Sequence, residues 1–450
     1  MVGQDEVDNA FARMSWQTSW VMHNHQKSNV HNMKTLRTWL MVWGLFQFSP
    51  GLFAQYALLY STNGSDITLT GHTGNETAVT GAVTIPNFVT SIGFSAFGNC
   101  YGITSVTIGT NVTDIGEWAF SYCTGMTNVT LPNSVASIED YAFAISGLTS
   151  ITIPDGVIGI GSYVFYICGG LSAITVSTEN PVYSSLNGVL FDKRQTTVID
   201  CPEGFNGSFT IPNTATTIGD EAFQYCTSLT NVTIPNSVTS IEGYAFSACR
   251  SLTSVTIPNS VTNFGEYAFQ DCERLTNITI PNSVTNLGDG AFETCWRLTS
   301  LTIPNSVTNL GEDEFYDCDN LTSVFLIGNA PSADSSVFYN VDNNVGADPT
   351  TVYYLPGTTG WSEFSSNTGV PAVLWNPTIQ TTDGFGFRSN QFNFTITGTP
   401  NIPVQIAATT NVSAGTWTPL QTCTLTNGLI QFGDPGWSNY SRRFYTVQFP

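Results

Sequence analysis

Apolar residues between Leu252 and Thr276 follow two spacings in turn. Leu252, Val255 and Ile257 alternate with Ser254 and Thr256, the two-residue period of a short strand. Pro258 has no N–H to give a ladder and closes that strand, and Asn259 suits the turn after it. Further on, Tyr267 or Ala268, Phe269 and Cys272 fall where one helical turn would bring its apolar side inward. The same phrase stands one unit earlier as "NVTIPNSVTSIEGYAFSACRSLT" and one unit later as "NITIPNSVTNLGDGAFETCWRLT", 23 residues apart each time. A fixed period of that size predicts a solenoid, in which each unit buries its apolar edge only against its neighbours. The anchors are Phe97, Phe120, Phe143 and Phe165, then, after a gap of 58 residues, Phe223, Phe246, Phe269, Phe292, Phe315 and Phe338. The predicted fold is a right-handed coil with one parallel β-sheet and short helical turns, ten to eleven coils long, roughly 50 Å at strand spacing.

The gap contains "ENPVYSSLNGVLFDK", where Asn187-Gly188 between strand-like runs signals a hairpin. A β insert is therefore expected at about 171–209. After the last anchor the pattern changes. Runs such as Phe392–Thr397 and Val404–Ala408, broken by Gly and Asn, predict a small C-terminal β-sandwich. The expected divisions are 1–54 as upstream extension and leader, 55–87 as N-terminal cap, 88–340 as repeats, 341–376 as C-terminal cap, and 377–450 as the β-sandwich-like module.

An address can be read near the start. From Met33, Lys34 and Arg37 precede an apolar run from Trp39 to Phe48, then Pro50 and Ala54, the layout of a secretory signal peptide. An N-terminal membrane anchor is the alternative, although the run is short for a span. Met33 reads as the true start, because residues 1–32 differ in character and hold His23, His25 and His31. The chain carries 33 acids against 12 bases, a formal charge of -21. A binder of phosphate backbones needs a basic face, so nucleic acid is excluded as a partner, and membrane contact is expected only through the signal or an anchor.

The repeat phrase fits the L-x-x-L-x-L pattern of leucine-rich repeats. "LTSVTIPNSVTSIEGYAF" and its copies from about Phe88 to Phe338, together with the "ENPVYSSLNGVLFDK" insert, resemble the BspA-like leucine-rich-repeat family of bacterial surface proteins. The resemblance covers rather more than half of the chain and implies a secreted or surface-exposed solenoid that binds proteins. The family has no catalytic motif to carry over. "TVYYLPGTTGWSEF" with "VLWNP" resembles the cap of such solenoids in environmental bacteria, and the tail resembles a β module on their exported proteins.

Candidate chemistry is sparse. Cys100, Cys123, Cys168, Cys226, Cys249, Cys272, Cys295 and Cys318 each follow an anchor phenylalanine by three residues. Stacked equivalents point in parallel, and Ser146 replaces one of them, so buried inert thiols are expected rather than disulfides. Cys201 and Cys423 are placed in separate modules, unpaired. Downstream of the leader His72 alone remains, read as a solvated residue of the N-terminal cap, so a triad, a Cys-His pair or a catalytic zinc site lacks its histidine. Glu242, Glu266, Asp289 and Glu312 recur once per coil and read as a solvated stripe, relieved by Arg250, Arg274 and Arg297 or by divalent cations. "DNNVGADP" from Asp342 is a loose calcium candidate. No enzyme and no cofactor are expected.

The outward strand positions carry the binding hypothesis. Thr130, Thr152, Thr210, Thr233, Ser254, Thr256, Asn277, Thr279, Ser300 and Thr302 form an array of small polar side chains. Solenoids bind through such extended faces, yet threonine is also a good strand former with a wet side. The expectation is a non-enzymatic recognition or adhesion scaffold for an extracellular protein or glycan. The alternative is a structural component of the cell envelope.

Overall fold

The computed structural model describes residues 56–341, 350–382 and 384–450. The leader at Met33, the upstream histidines and the Asp342–Pro349 calcium candidate lie outside the described residues.

Each coil has three sides, and the unit from Leu252 shows why. Strand Ser254–Thr256 sends Val255 inward and its two neighbours outward, and pairs in parallel with Asn277–Thr279 one coil on. Val261 and Phe264 then turn inward along a second side, where Asn263–Phe264 pairs with Ser240–Ile241. The third side is the run Gly265–Cys272. The helical turn expected there takes the form of consecutive i→i+3 turns, such as Gln270 N–H to Tyr267 C=O and Cys272 N–H to Phe269 C=O. Tyr267 and Asp271 interrupt it with φ of 55° each, a left-handed conformation uncommon outside glycine. What supports them is the next coil: the N–H groups of Tyr267, Phe269 and Asp271 donate to Asp289, Ala291 and Glu293 at 2.7, 2.9 and 2.9 Å. Gly265 is needed because a Cβ there would stand 2.3 Å from the Glu242 carbonyl carbon.

Thirteen parallel strands occupy the first side among the described residues, from Thr80–Thr84 to Ala372–Leu374. The stack exceeds the count from the phenylalanine anchors because Thr80–Thr84, Thr351–Tyr354 and Ala372–Leu374 lie beyond them. A hairpin, Leu58–Asn63 with Asp66–His72, begins it, and the helix Trp361–Thr368 buries Trp361 and Phe364 near its end. The anchor rings form a ladder in the core. Phe97 and Phe120 stack 5.2 Å apart, Phe246 and Phe269 5.1 Å apart, with planes 7° and 9° from parallel. Each such ring contributes about 2–3 kcal/mol by leaving water.

The insert divides this core. Asn180, fully buried, donates to Pro154 and Val157 carbonyls and accepts from the N–H of Val182 and Tyr183, which fixes the insert's entry. Tyr183–Leu186 and Val189–Asp192 then form the hairpin, with Asn187 and Gly188 at φ 52° and 86° as a type I′ turn requires. Val189–Asp192 is a wall buried on both faces: Leu190 joins the core of the preceding coils, Val189 and Phe191 that of the following ones. Its neighbour Thr197–Asp200 rejoins the second ladder beside Thr217–Ile218.

At the C-terminal end two small antiparallel sheets share one core. Gln391–Thr397 lies between Leu429–Asp434 and the strands Thr378–Gln380 and Gly386–Arg388. Pro403–Thr409 lies between Thr418–Thr424 and Phe444–Gln448. Their core of Phe394, Ile396, Val404 and Phe432 also takes in Phe325, Tyr353 and Trp375 from the end of the stack.

Candidate functional site

The hydroxyls of the repeat strands separate into two sets. Thr127, Thr149, Thr276 and Thr322, at the strand entrances, each donate to a carbonyl one coil earlier at 3.1 to 3.3 Å. These hydroxyls belong to the scaffold. Thr130, Thr152, Thr210, Thr233, Ser254, Thr256, Asn277 and Thr279 are exposed, and their side chains have no hydrogen-bond partner among the described residues. They lie in register, Thr256 beside Thr279 and Thr107 beside Thr130.

Ser300 and Thr302 are only half-exposed. The register explains it: Thr302 neighbours Phe325, which neighbours Tyr353, so the outward column changes from threonine to aromatic. Phe325 is covered by Phe449, ring centroids 4.6 Å apart. The C-terminal sheets thus cover the end of the face, and the open array runs from the N-terminal coils to about Thr279. The signal was present in the sequence as "SVFLIGN" where the coil before it reads "SLTIPNS".

The thiols are scaffold too. Cys123, Cys168, Cys249, Cys272, Cys295 and Cys318 each donate to the carbonyl of a phenylalanine one coil back, at 3.0 to 3.3 Å. The ladder cysteines are free and buried. Cys201, expected in a separate module, instead lies in the repeat core, where its carbonyl accepts from Cys226 at 3.2 Å. Cys100 opens the ladder with no coil before it, and His72 Nε2 takes the acceptor's place, 3.1 Å from its Sγ. His72 is therefore not a solvated turn residue: it is half-buried, with its ring stacked on Phe97 at 6.0 Å. The thiol is fully buried, and burial, with Glu76 nearby, pushes it up to about 12, away from the thiolate form.

The acidic stripe is held differently from expectation. Glu242 accepts from Ser240 and Asn263, Asp289 accepts the N–H of Glu312, and Arg250 pairs with Glu273 at 3.1 Å. Among the described residues no three Cys, His, Asp or Glu side chains gather as a metal site.

One concave site was not legible in the sequence. At the seam made by the insert lies a cavity of about 300 Å³, walled by Tyr163 and Tyr166 on one side, Asp200 and Glu203 on the insert, and Asp220 and Glu221 on the next coil. Burial raises Asp200 to about 7, Glu203 to about 8 and Glu221 to about 7, and repulsion from Glu221, Asp200 and Asp220 respectively adds to each. Burial and the neighbouring Glu221 push the Tyr163 hydroxyl up, and Tyr166 meets Tyr225 edge to face, ring centroids 5.7 Å apart. The Glu203 carboxylate accepts the N–H of Ile167 at 2.5 Å, a bond that elsewhere goes to a carbonyl of the next coil.

Comparison with known proteins places the architecture. Among solved structures, the pneumococcal vaccine antigen PcpA is 21% identical over 66% of this chain and 79% of its own, with a TM-score of 0.56. A leucine-rich repeat protein from Eubacterium ventriosum is 25% identical over 62% of this chain and 88% of its own, TM-score 0.50. A leucine rich cell surface protein from Faecalibacterium prausnitzii is 25% identical over 71% and 98%, TM-score 0.45. No curated protein sequence gave a significant match. The sequence profile of the BspA type leucine rich repeat region matches in 6 copies, over residues 76–187, 206–322 and 241–345. Spanning more than half of the sequence, those copies make this chain a member of the BspA-type leucine-rich-repeat family.

Proposed function

We propose that the protein is an exported, non-enzymatic recognition or adhesion scaffold, held at the cell surface or secreted, that binds an extracellular protein or glycan through its strand face. The observation that carries this reading is the pair of threonine sets: one satisfied within the scaffold, the other in register, exposed and without internal partners. The 23-residue repeat sets these side chains in one continuous open face, the kind of extended surface through which solenoids bind. Family membership supports an interaction scaffold, and the fully buried thiols support a role without covalent chemistry. Among the described residues no helix is long and apolar enough to cross a membrane.

The test is binding of the full chain to an array of matrix proteins, surface proteins and glycans, beside a Thr256→Lys, Thr279→Lys variant. Both positions are exposed, so the variant should keep the parent circular dichroism and melting curve. The expected outcome is a wild-type hit weakened at least about tenfold in the variant, the scale of one lost contact of 1.4 kcal/mol. Equal binding by both would move recognition off this face. A folded protein silent on the whole array would favour the structural envelope role.

A further inference from the structure

The seam cavity stands apart from the strand face and interrupts a ladder. In regular coils the N–H groups of the turn run go to the following coil, as Tyr141 does to Ser162 and Phe143 to Val164, both at 3.0 Å. On the last coil before the insert the equivalent N–H groups, those of Tyr163 and Phe165, have no partner among the described residues, and both residues line the cavity. The Asp200 carboxyl also lines it and accepts no hydrogen bond among the described residues. It is enclosed by protein yet keeps solvent contact, as a group at a cavity wall does. Open main-chain donors and an unpaired carboxyl at a cavity wall are groups that a ligand can satisfy.

We propose that this cavity binds an extended basic peptide segment, whose lysine or arginine side chain enters among Asp200, Glu203 and Glu221 while its main-chain carbonyls accept the free N–H groups of Tyr163 and Phe165. The charges decide the side chain. The lining carries four carboxyls and no lysine, arginine or histidine. Arg250, which acts on Tyr225 beyond the lining, is paired with Glu273. Tyr163 and Tyr166, in edge contact at 5.4 Å, offer aromatic surface that favours a cation. A volume of about 300 Å³ admits one long side chain. A neutral sugar would leave the crowded carboxyls unrelieved, and the acids do not gather as a metal site. The open N–H groups ask for carbonyl acceptors in sequence, which an extended peptide supplies in the manner of an added strand.

Binding is then linked to protons. Asp200, Glu203 and Glu221 face the ligand, with Asp220 beside them, Glu242 one coil on, Asp140 and Tyr141 one coil back, Tyr225 opposite Tyr166, and the Cys168 thiol below. A cation favours the ionised carboxylates, so it displaces protons, and affinity rises from pH 6 to pH 8.

The experiment is calorimetric titration of the full chain with acetyl-Gly-Arg-Gly-amide, acetyl-Gly-Lys-Gly-amide, the norleucine analogue and methyl glucoside, at pH 6 and pH 8. The expected result is binding of the two basic peptides alone, about tenfold tighter at pH 8, with proton release, and at least a tenfold loss in Asp200→Asn. Circular dichroism and the melting curve of Asp200→Asn, matched to wild type, control for folding. Equal affinity for the norleucine peptide, preference for the glucoside, or no binding of a basic peptide at millimolar concentration to the folded chain would overturn the proposal. The strand-face variant should leave this titration unchanged, so the two readings fail separately.

Discussion

Glu314 stands in the core position that is Ala245, Ala268 and Ala291 in the preceding coils. It is fully buried, and neither carboxyl oxygen makes a hydrogen bond of good geometry, the Ala291 backbone giving only partial relief. Burial holds its carboxyl well above the ordinary range, so the folded chain keeps it protonated while the unfolded chain ionises. A group of that kind takes more stability away as pH rises through the window between its two values. Glu314→Ala restores the residue of its neighbours and should raise stability by about 1–3 kcal/mol, the cost of an unsatisfied buried polar group. The gain should be larger at pH 8 than at pH 5. Denaturant melts at the two values check it, and a variant less stable than wild type at pH 8 would show that Glu314 has a partner. Nothing in "GEDEFYDC" flags the charge as buried, because acids at the neighbouring positions are solvated. The cysteine ladder could be placed by period alone, but its hydrogen bonds to phenylalanine carbonyls could not.

Elements differ in how far the sequence shows them. The strand face follows from a period of two and a terminal proline, and the Asn187-Gly188 turn from its need for two positive φ angles. The second ladder is hidden because its strands within the regular coils are two residues long, such as Ser240–Ile241, too short for any period to be visible. The turn run misleads for another reason. Tyr267 and Asp271 adopt left-handed φ without glycine, and what stabilises them is the next coil's carbonyls, which no local window contains. The seam cavity is a further step removed, since Asp200 and Glu221 meet only because the insert displaces one coil from the next. The covering of Phe325 by the C-terminal sheets is the element-scale contact most open to test. Phe325→Thr restores the residue of the earlier coils and removes a ring with 1% exposure, at a cost of about 3–5 kcal/mol judged from phenylalanine truncations. Limited proteolysis should then cut between the stack and residues 378–450 much faster than in wild type, with the repeats intact. Unchanged resistance would mean that Trp375 and Phe449, 4.3 Å apart, suffice to hold the sheets.

Over the whole molecule, charge sets the response to pH. The chain carries a formal -21, and its most perturbed acids are shifted in one direction. Burial raises Asp200, Glu221 and Glu293 to about 7 and Glu203 to about 8. Each of these groups binds a proton in the folded state that the unfolded chain has already released near pH 4, so each lowers stability as pH climbs from about 5 to 8. The slope has about 1.4 kcal/mol per pH unit as its ceiling for Asp200 and Glu203, and solvent screening keeps Glu221 and Glu293 well below it. Two groups act oppositely. Asp192, despite some desolvation, is lowered by the N–H groups of Thr197 and Thr196, and Asp334 by Ser336, so their stabilisation is lost as acid protonates them. Since the raised set is larger and self-repulsion grows as it ionises, the melting temperature should peak near pH 5 and fall steadily to pH 8. Salt at 0.5 M should recover the part due to repulsion between exposed charges and leave the part due to burial, because screening reaches only the former. Thermal melts across that range, at low and high salt, measure both parts. A melting temperature that holds level or rises toward pH 8 would mean that burial does not raise these carboxyls in the folded chain.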